Sequence, residues 1–264
     1  MTDAQSQRVP MDSMRKTALA AGLLYLLTFA SSIAAVLLLA PVLSDPNYIT
    51  SAGADTQVLM GALLDVVNAL ACIGTAVVLF SVVKRQHEGL ALGFFSTRMF
   101  EAAVIVIGVV SIAAVVTLRQ AEAVASDTSS LTVVGQALIA VRDWTFQLGP
   151  NLMAAMNAIL LGTLMYRSRL VPRAIPTLGL IGGPLLIVST IGIWFGVNEQ
   201  ASMWHGLSVA PIFLWELTLG LYLTFKGFTA SAPIIVAAAA RSDSLEHSTV
   251  VAPPPVIATS GGLA

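Results

Sequence analysis

The sequence predicts an all-α, polytopic membrane protein, a bundle of six transmembrane helices with both termini cytoplasmic. Three observations predict it. The 264 residues are 56% hydrophobic and only 10% charged, against roughly 25% charged in a soluble domain. Mean hydropathy is +0.85, and the apolar runs exceed the ~18 residues that mark a membrane-crossing helix. Basic residues are also distributed unevenly between alternate loops.

The spans fall at about 17–40, 57–83, 90–117, 144–166, 174–197 and 206–228. Each is long enough to cross ~30 Å of hydrocarbon at ~1.5 Å per residue. The first follows Arg15 and Lys16, as a signal peptide would, but its apolar stretch is too long and ends in APVLSDP without an A-x-A site. It reads as a retained helix. Residues 1–16 form a cytoplasmic segment, 17–228 the transmembrane domain, and 229–264 a tail rich in Ala, Ser and Pro that reads as disordered.

Arg8, Arg15, Lys16, Lys84, Arg85, Arg167, Arg169, Arg173, Lys226 and Arg241 lie on one side, ten of the 13 Lys and Arg. Arg119 and Arg142 fall on the other, and Arg98 within the membrane. The positive-inside rule makes the richer side cytoplasmic. The first outer loop, PVLSDPNYITSAGADTQ, carries turn signals. The second, about 118–143, is longer. Its LTVVGQALIAVRDW portion has near-helical apolar spacing, which suits either an outward extension of the fourth span or a surface helix.

Polar residues inside the spans are the candidate site. The second span carries Gly61, Asp65, Asn68, Cys72 and Thr75 at i, i+4, i+7, i+11, i+14, one stripe of a helix. The third carries Arg98 and Glu101 on one face. The fourth carries Gln147 and Asn151, with Asn157 further on, and the sixth carries Glu216 beside Trp215. Counting at ~1.5 Å per residue places Asp65, Asn68, Arg98, Glu101, Asn151 and Glu216 between the midplane and the outer third. A charge at the bilayer centre costs ~2.5–3.5 kcal/mol, so these side chains face the bundle interior and find partners. Three acids face one arginine in this reading. A proton, a cation or water completes the balance. The cluster therefore reads as a site for a small ligand, cation or proton; the alternative is a structural or accessory protein whose charges only tie helices together.

Other features read more plainly. Gly89-x-x-x-Gly93, Gly179-x-x-x-Gly183 and Gly192-x-x-x-Gly196 allow close helix packing; they fit a homo-oligomer without arguing for one. Pro150, Pro184 and Pro211 read as kinks, and Tyr25, Trp144, Trp194 and Trp204 as anchors or packing residues. A net charge of −1 gives no support for nucleic-acid binding. One cysteine and three scattered histidines make a metal centre or ligated haem an unexpected finding. No HExxH, GxSxG, Walker A or GxGxxG motif is present, so no catalytic residue and no cofactor is assigned.

AAGLLYLLTFASSIAA, ALGFFSTRMFEAAVIVIGVVS, LLGTLMYRSRLVPRAIPTLGLIGG and WELTLGLYLTFKGF resemble the bacterial DUF4386 family, from about Arg15 to Phe228. The R-x-x-E of the third span, the YRS-x-x-x-PR turn and the glutamate of the sixth carry the resemblance. Ala174, Ile175 and Pro176 follow PR here, where the family pattern has a glycine. The resemblance implies a multi-pass protein of the bacterial plasma membrane and supplies no catalytic residues.

Overall fold

The computed structural model describes residues 13–51, 53–122, 128–233 and 235–236. The N-terminal segment before Ser13 and the tail from 237 onward, which holds most of the segment predicted to be disordered, lie outside the described residues. The chain is all-helical: α1 (Ser13–Ser44), α2 (Asp55–Val83), α3 (Glu88–Glu122), α4 (Thr128–Phe146), a π-helical segment (Gln147–Met153), α5 (Ala154–Ser168), α6 (Ala174–Trp194) and α7 (Met203–Phe225). A short 3-10 turn, Tyr48–Thr50, sits between α1 and α2. Among the described residues, six helical stretches are long and apolar enough to cross a membrane, with Ser129–Ser168 forming one of them.

That fourth stretch corrects one expectation. The span predicted from about residue 144 begins near 129 and includes LTVVGQALIAVRDW, the extension that is one of the two readings of that segment. Pro150 lacks the N–H that an α-helix needs. The backbone accommodates it by widening into seven residues of π-helix and then resumes as α5. Arg142 therefore lies inside a span, 5% exposed, and not in an outer loop.

The spans close into a ring. α1 packs on α2, α2 on α3, α3 on α4, the π segment and α5, α5 on α6, α6 on α7, and α7 returns to α1. Lipid supplies no hydrophobic drive between helices, so small residues and close contact do this work. At the α1–α7 seam a Cβ on Gly22 would stand 2.5 Å from the Thr224 amide nitrogen and 2.8 Å from the Gly220 carbonyl. At the α6–α7 seam a Cβ on Gly179 would meet the Trp215 ring at 2.9 Å. The GxxxG at 179–183 is thus used within the chain.

The half of the bundle nearer the termini is densely apolar. Ala18, Ala21, Tyr25, Leu79, Phe94, Leu161, Trp215, Leu219 and Leu223 belong to one buried cluster. Arg15 closes this end by donating to the Leu223 and Thr224 carbonyls at 3.0 and 2.7 Å. Those are carbonyls that the C-terminus of α7 leaves without helical partners. Beyond the predicted boundary at 228, Thr229 N–H donates to the Leu170 carbonyl and Ala232 is buried.

At the other end, Arg119 clasps the 3-10 turn and the start of α2. It pairs with Asp55 at 2.5 Å, donates twice to the Ser51 carbonyl, and lies over the Tyr48 ring. Tyr48 O–H donates to Asp55. Burial, then that hydrogen bond and the Asp55 charge, push the Tyr48 phenol up to about 12.

Candidate functional site

Inside the ring the polar side chains form two tiers. The five-residue stripe on α2 faces inward as its spacing predicts: Gly61, Asp65, Asn68, Cys72 and Thr75 are all buried. Thr75 and Asp65 stand ten residues apart, roughly 15 Å along a helix, and each anchors one tier.

The lower tier centres on Arg98, 1% exposed. Its Nη1 donates to Glu101 Oε2 at 2.9 Å and approaches Glu216 Oε1 at 3.6 Å. Its Nε donates to Thr75 Oγ1 at 3.2 Å. The guanidinium lies 5.2 Å from the centre of the Tyr25 ring, a cation–π contact worth ~2 kcal/mol when shielded from water. Nη2 is buried and has no hydrogen-bond partner. Glu101 Oε2 also accepts from Asn157 Nδ2 at 2.6 Å, and Asn157 Oδ1 accepts from Thr97 at 2.5 Å. Helices α1, α2, α3, α5 and α7 thus each contribute a side chain. Glu216 is held least. Its side chain is 21% exposed, against 6% for Glu101, and its distance to Arg98 is longer than a hydrogen bond.

The upper tier is the ion pair of Asp65 with Arg142, 2.9 Å between Oδ2 and Nη2, with side chains 8% and 7% exposed. Arg142 also lies over the Phe146 ring at 5.4 Å. Next to it, Asn151 donates to Gln147 Oε1, and Gln147 Nε2 donates to Gln200 Oε1, both at 2.9 Å. Gln200 lies in the α6–α7 connection, so this amide chain runs from the loop into the bundle.

Two cavities adjoin these tiers. One, of about 140 Å³, is lined by Asn68, Cys72, Arg98, Glu101, Asn151 and Glu216 among others. The other, of about 350 Å³, is lined by Asp65, Asn68, Arg142, Phe146 and Asn151 among others. They share Ser32, Ile33, Asn68, Pro150, Asn151 and Val209. All six residues singled out by sequence therefore line these adjoining cavities, but they do not form one cluster. Arg98, Glu101 and Glu216 meet directly, Asp65 is engaged elsewhere, and Asn68 and Asn151 bridge the two.

The charge count changes with this arrangement. Arg142 neutralises Asp65, so three acids do not compete for Arg98. Only two do, and with both ionised the formal surplus is one negative charge. Arg142 escaped the sequence reading because RDW falls before the strongly apolar part of its span, whose mean hydropathy of 1.4 is the lowest of the six. The signal available was Asp65, a buried acid in need of a cation. Tyr25 was read as an anchor or packing residue and lies under Arg98. His205, in the first turn of α7, is buried with Nδ1 3.0 Å from Ser189 Oγ. Among the described residues, no group of His, Cys, Asp and Glu is arranged to hold a metal ion.

The sequence matches the family described as "Domain of unknown function (DUF4386)" over residues 20–227. No curated protein and no solved structure matches the chain.

Proposed function

Because the chain belongs to the DUF4386 family, a membership that carries no activity with it, we propose a function from the interior geometry: a multi-pass membrane protein that binds a small molecule, a cation or a proton between α1, α2, α3, the π segment and α7. The carrying observation is that the ion pairs border adjoining cavities and do not sit in close packing. Arg98, Glu101 and Glu216 line about 140 Å³, and intramembrane charges beside a cavity point by default to a ligand, ion or proton site. Arg98 organises the charges. Glu101 and Glu216 are the acceptors, with Glu216 the less committed of the two. Asn68 and Asn151 offer neutral hydrogen-bonding groups between the tiers.

The protein sits in the bacterial plasma membrane with its termini in the cytoplasm. The uneven basic residues support this orientation, more so with Arg142 placed inside a span, which leaves Arg119, in the last turn of α3, as the basic residue at the poorer side among the described residues. The cavity then belongs to the outer half of the bundle.

Hydration of the cavity tests the reading. Ser32 lines both cavities. In a Cys72→Ala background, a Ser32→Cys variant is expected to react with a small methanethiosulfonate reagent added to intact cells. The rival reading is a scaffold whose charges hold helices together. It predicts an unreactive Ser32→Cys and a well-folded Arg98→Met/Glu101→Leu protein, since a dry structural pair can often be exchanged for apolar residues at little cost.

A further inference from the structure

The space of the adjoining cavities has a side wall as well as a floor. α1 and α7 touch through Gly22 against Gly220 and Thr224, and then through Phe29 against Phe213, ring centres 4.4 Å apart. Further from the termini α1 leans on α2, with Leu39 against Gly61. The cavity occupies the seam above the two rings. Ile33, Val36, Leu37 and Phe213 line it and are 43%, 44%, 67% and 42% exposed. On a transmembrane bundle such exposed apolar residues face lipid, so the space opens sideways between α1 and α7 toward the hydrocarbon. Its inner end is polar and its mouth is apolar.

Beside the lower tier, the formal charge facing that space is negative when Glu101 and Glu216 are both ionised. Arg98 Nη2 and Arg142 Nε have no partner, but both atoms are buried from water-sized contact. Neither offers its spare N–H to a molecule in the cavity. Arg98 is otherwise committed to Glu101, Thr75 and the Tyr25 ring. Glu216 is the charged group of the lower tier with accessible surface and no close hydrogen bond. With both ionised, two carboxylates against one arginine leave a deficit of one positive charge at the polar end.

On the reading that this is a ligand site, we propose that it takes an amphipathic monocation that enters from the bilayer: an ammonium head beside Glu216 and Glu101, and an apolar tail leaving between α1 and α7. The head supplies the missing charge and N–H donors to acceptor-only carboxylates. The tail stays in an apolar setting along the whole route, and no part of the molecule crosses the packed core below Tyr25.

The test uses the full chain in lipid nanodiscs, with Ser32→Cys in the Cys72→Ala background, and three octyl probes. Octylammonium, octanol and octanoate share a tail and differ in head charge. Octylammonium is expected to slow labelling of Ser32→Cys at least tenfold, with less than a twofold effect from the other two. Glu216→Gln, which keeps the shape and removes the charge, is expected to abolish that selectivity while labelling without a probe is unchanged. Phe213→Ala, at the lipid-facing mouth, is expected to weaken protection by octylammonium severalfold and keep its preference over octanol. Equal protection by all three probes, or stronger protection by octanoate, overturns the proposal. So does absence of protection while Ser32→Cys still labels, a result that leaves the hydrated-site reading standing. A Ser32→Cys that never labels removes both.

Discussion

Replacing Arg142 with Met leaves Asp65 in the bundle without its cation. The pair is separated by 2.9 Å and the side chains are 7% and 8% exposed. At an effective dielectric of ~20, the Coulomb attraction at that distance is ~6 kcal/mol. Part of it is already offset by the cost of taking both charges out of water. Removing one member of a buried pair typically costs ~3–5 kcal/mol. The adjoining cavity of about 350 Å³ admits water to the orphaned carboxylate, which argues for the low end, ~3 kcal/mol. Arg142→Met with Asp65→Leu removes both charges and is expected to lie within ~1 kcal/mol of the natural protein. The coupling between the two sites is then ~2 kcal/mol or more. Reversible unfolding in mixed micelles with increasing dodecyl sulfate, followed by the fluorescence of the four tryptophans, measures all four corners of the cycle. A single Arg142→Met change costing less than ~1 kcal/mol, or a double variant as unstable as the single, would refute the pairing.

The ring closure predicts a contrast between two glycines. Gly22→Ala puts a methyl group against the α7 backbone and is expected to destabilise by ~1–3 kcal/mol. Gly206→Ala, with no atom within 4 Å of the new Cβ, is expected to be neutral or stabilising by up to ~1 kcal/mol in the same titration. Orientation is read by labelling Thr50→Cys and His87→Cys in the Cys72→Ala background with a membrane-impermeant maleimide: Thr50→Cys reacts on intact cells and His87→Cys only after lysis, and the reverse pattern inverts the topology. The Tyr48 phenol is raised from 10.0 to about 12, so folding favours its protonated form. That contribution is complete below pH 10 and disappears as pH rises through 12. Thermal melts across that range should decline less steeply in Tyr48→Phe than in the natural chain.

Most of the architecture is legible in the sequence because the bilayer imposes a simple rule. Stretches such as the one around Val104–Val110 are too apolar and too long for anything but a span, and Arg98 stands out within one because charge there is costly. The α2 stripe follows from helical spacing alone. The fourth span is where this logic left two readings open. Hydropathy places its start after Arg142, whereas the helix runs on outward because α3 packs beside it and shields its polar residues; Ser111, for example, donates to the Leu138 carbonyl across that contact. The π segment was invisible for a related reason. Pro150 announces that an α-helical hydrogen bond is lost, but whether the helix bends, breaks or widens is decided by neighbours such as Gly149 against α3. Pairing also lies beyond the reach of spacing. That Asp65 belongs with Arg142, and Glu216 with Arg98, depends on which helices are adjacent in the ring.

The packed floor below Arg98 has an electrical consequence. A pocket open on one side and sealed on the other by Tyr25, Phe94, Leu79 and Leu219 is a dead end, and the membrane voltage drops partly along its depth. A cation that settles beside Glu216 has crossed roughly half of that drop. A full crossing corresponds to ~2.3 kcal/mol per charge at 100 mV, so half amounts to ~1.1 kcal/mol, or about sevenfold in affinity. For the cation site and the orientation proposed above, a membrane with a negative cell interior would raise occupancy and depolarisation would lower it by that factor. Occupancy of such a site would follow membrane voltage with no moving gate.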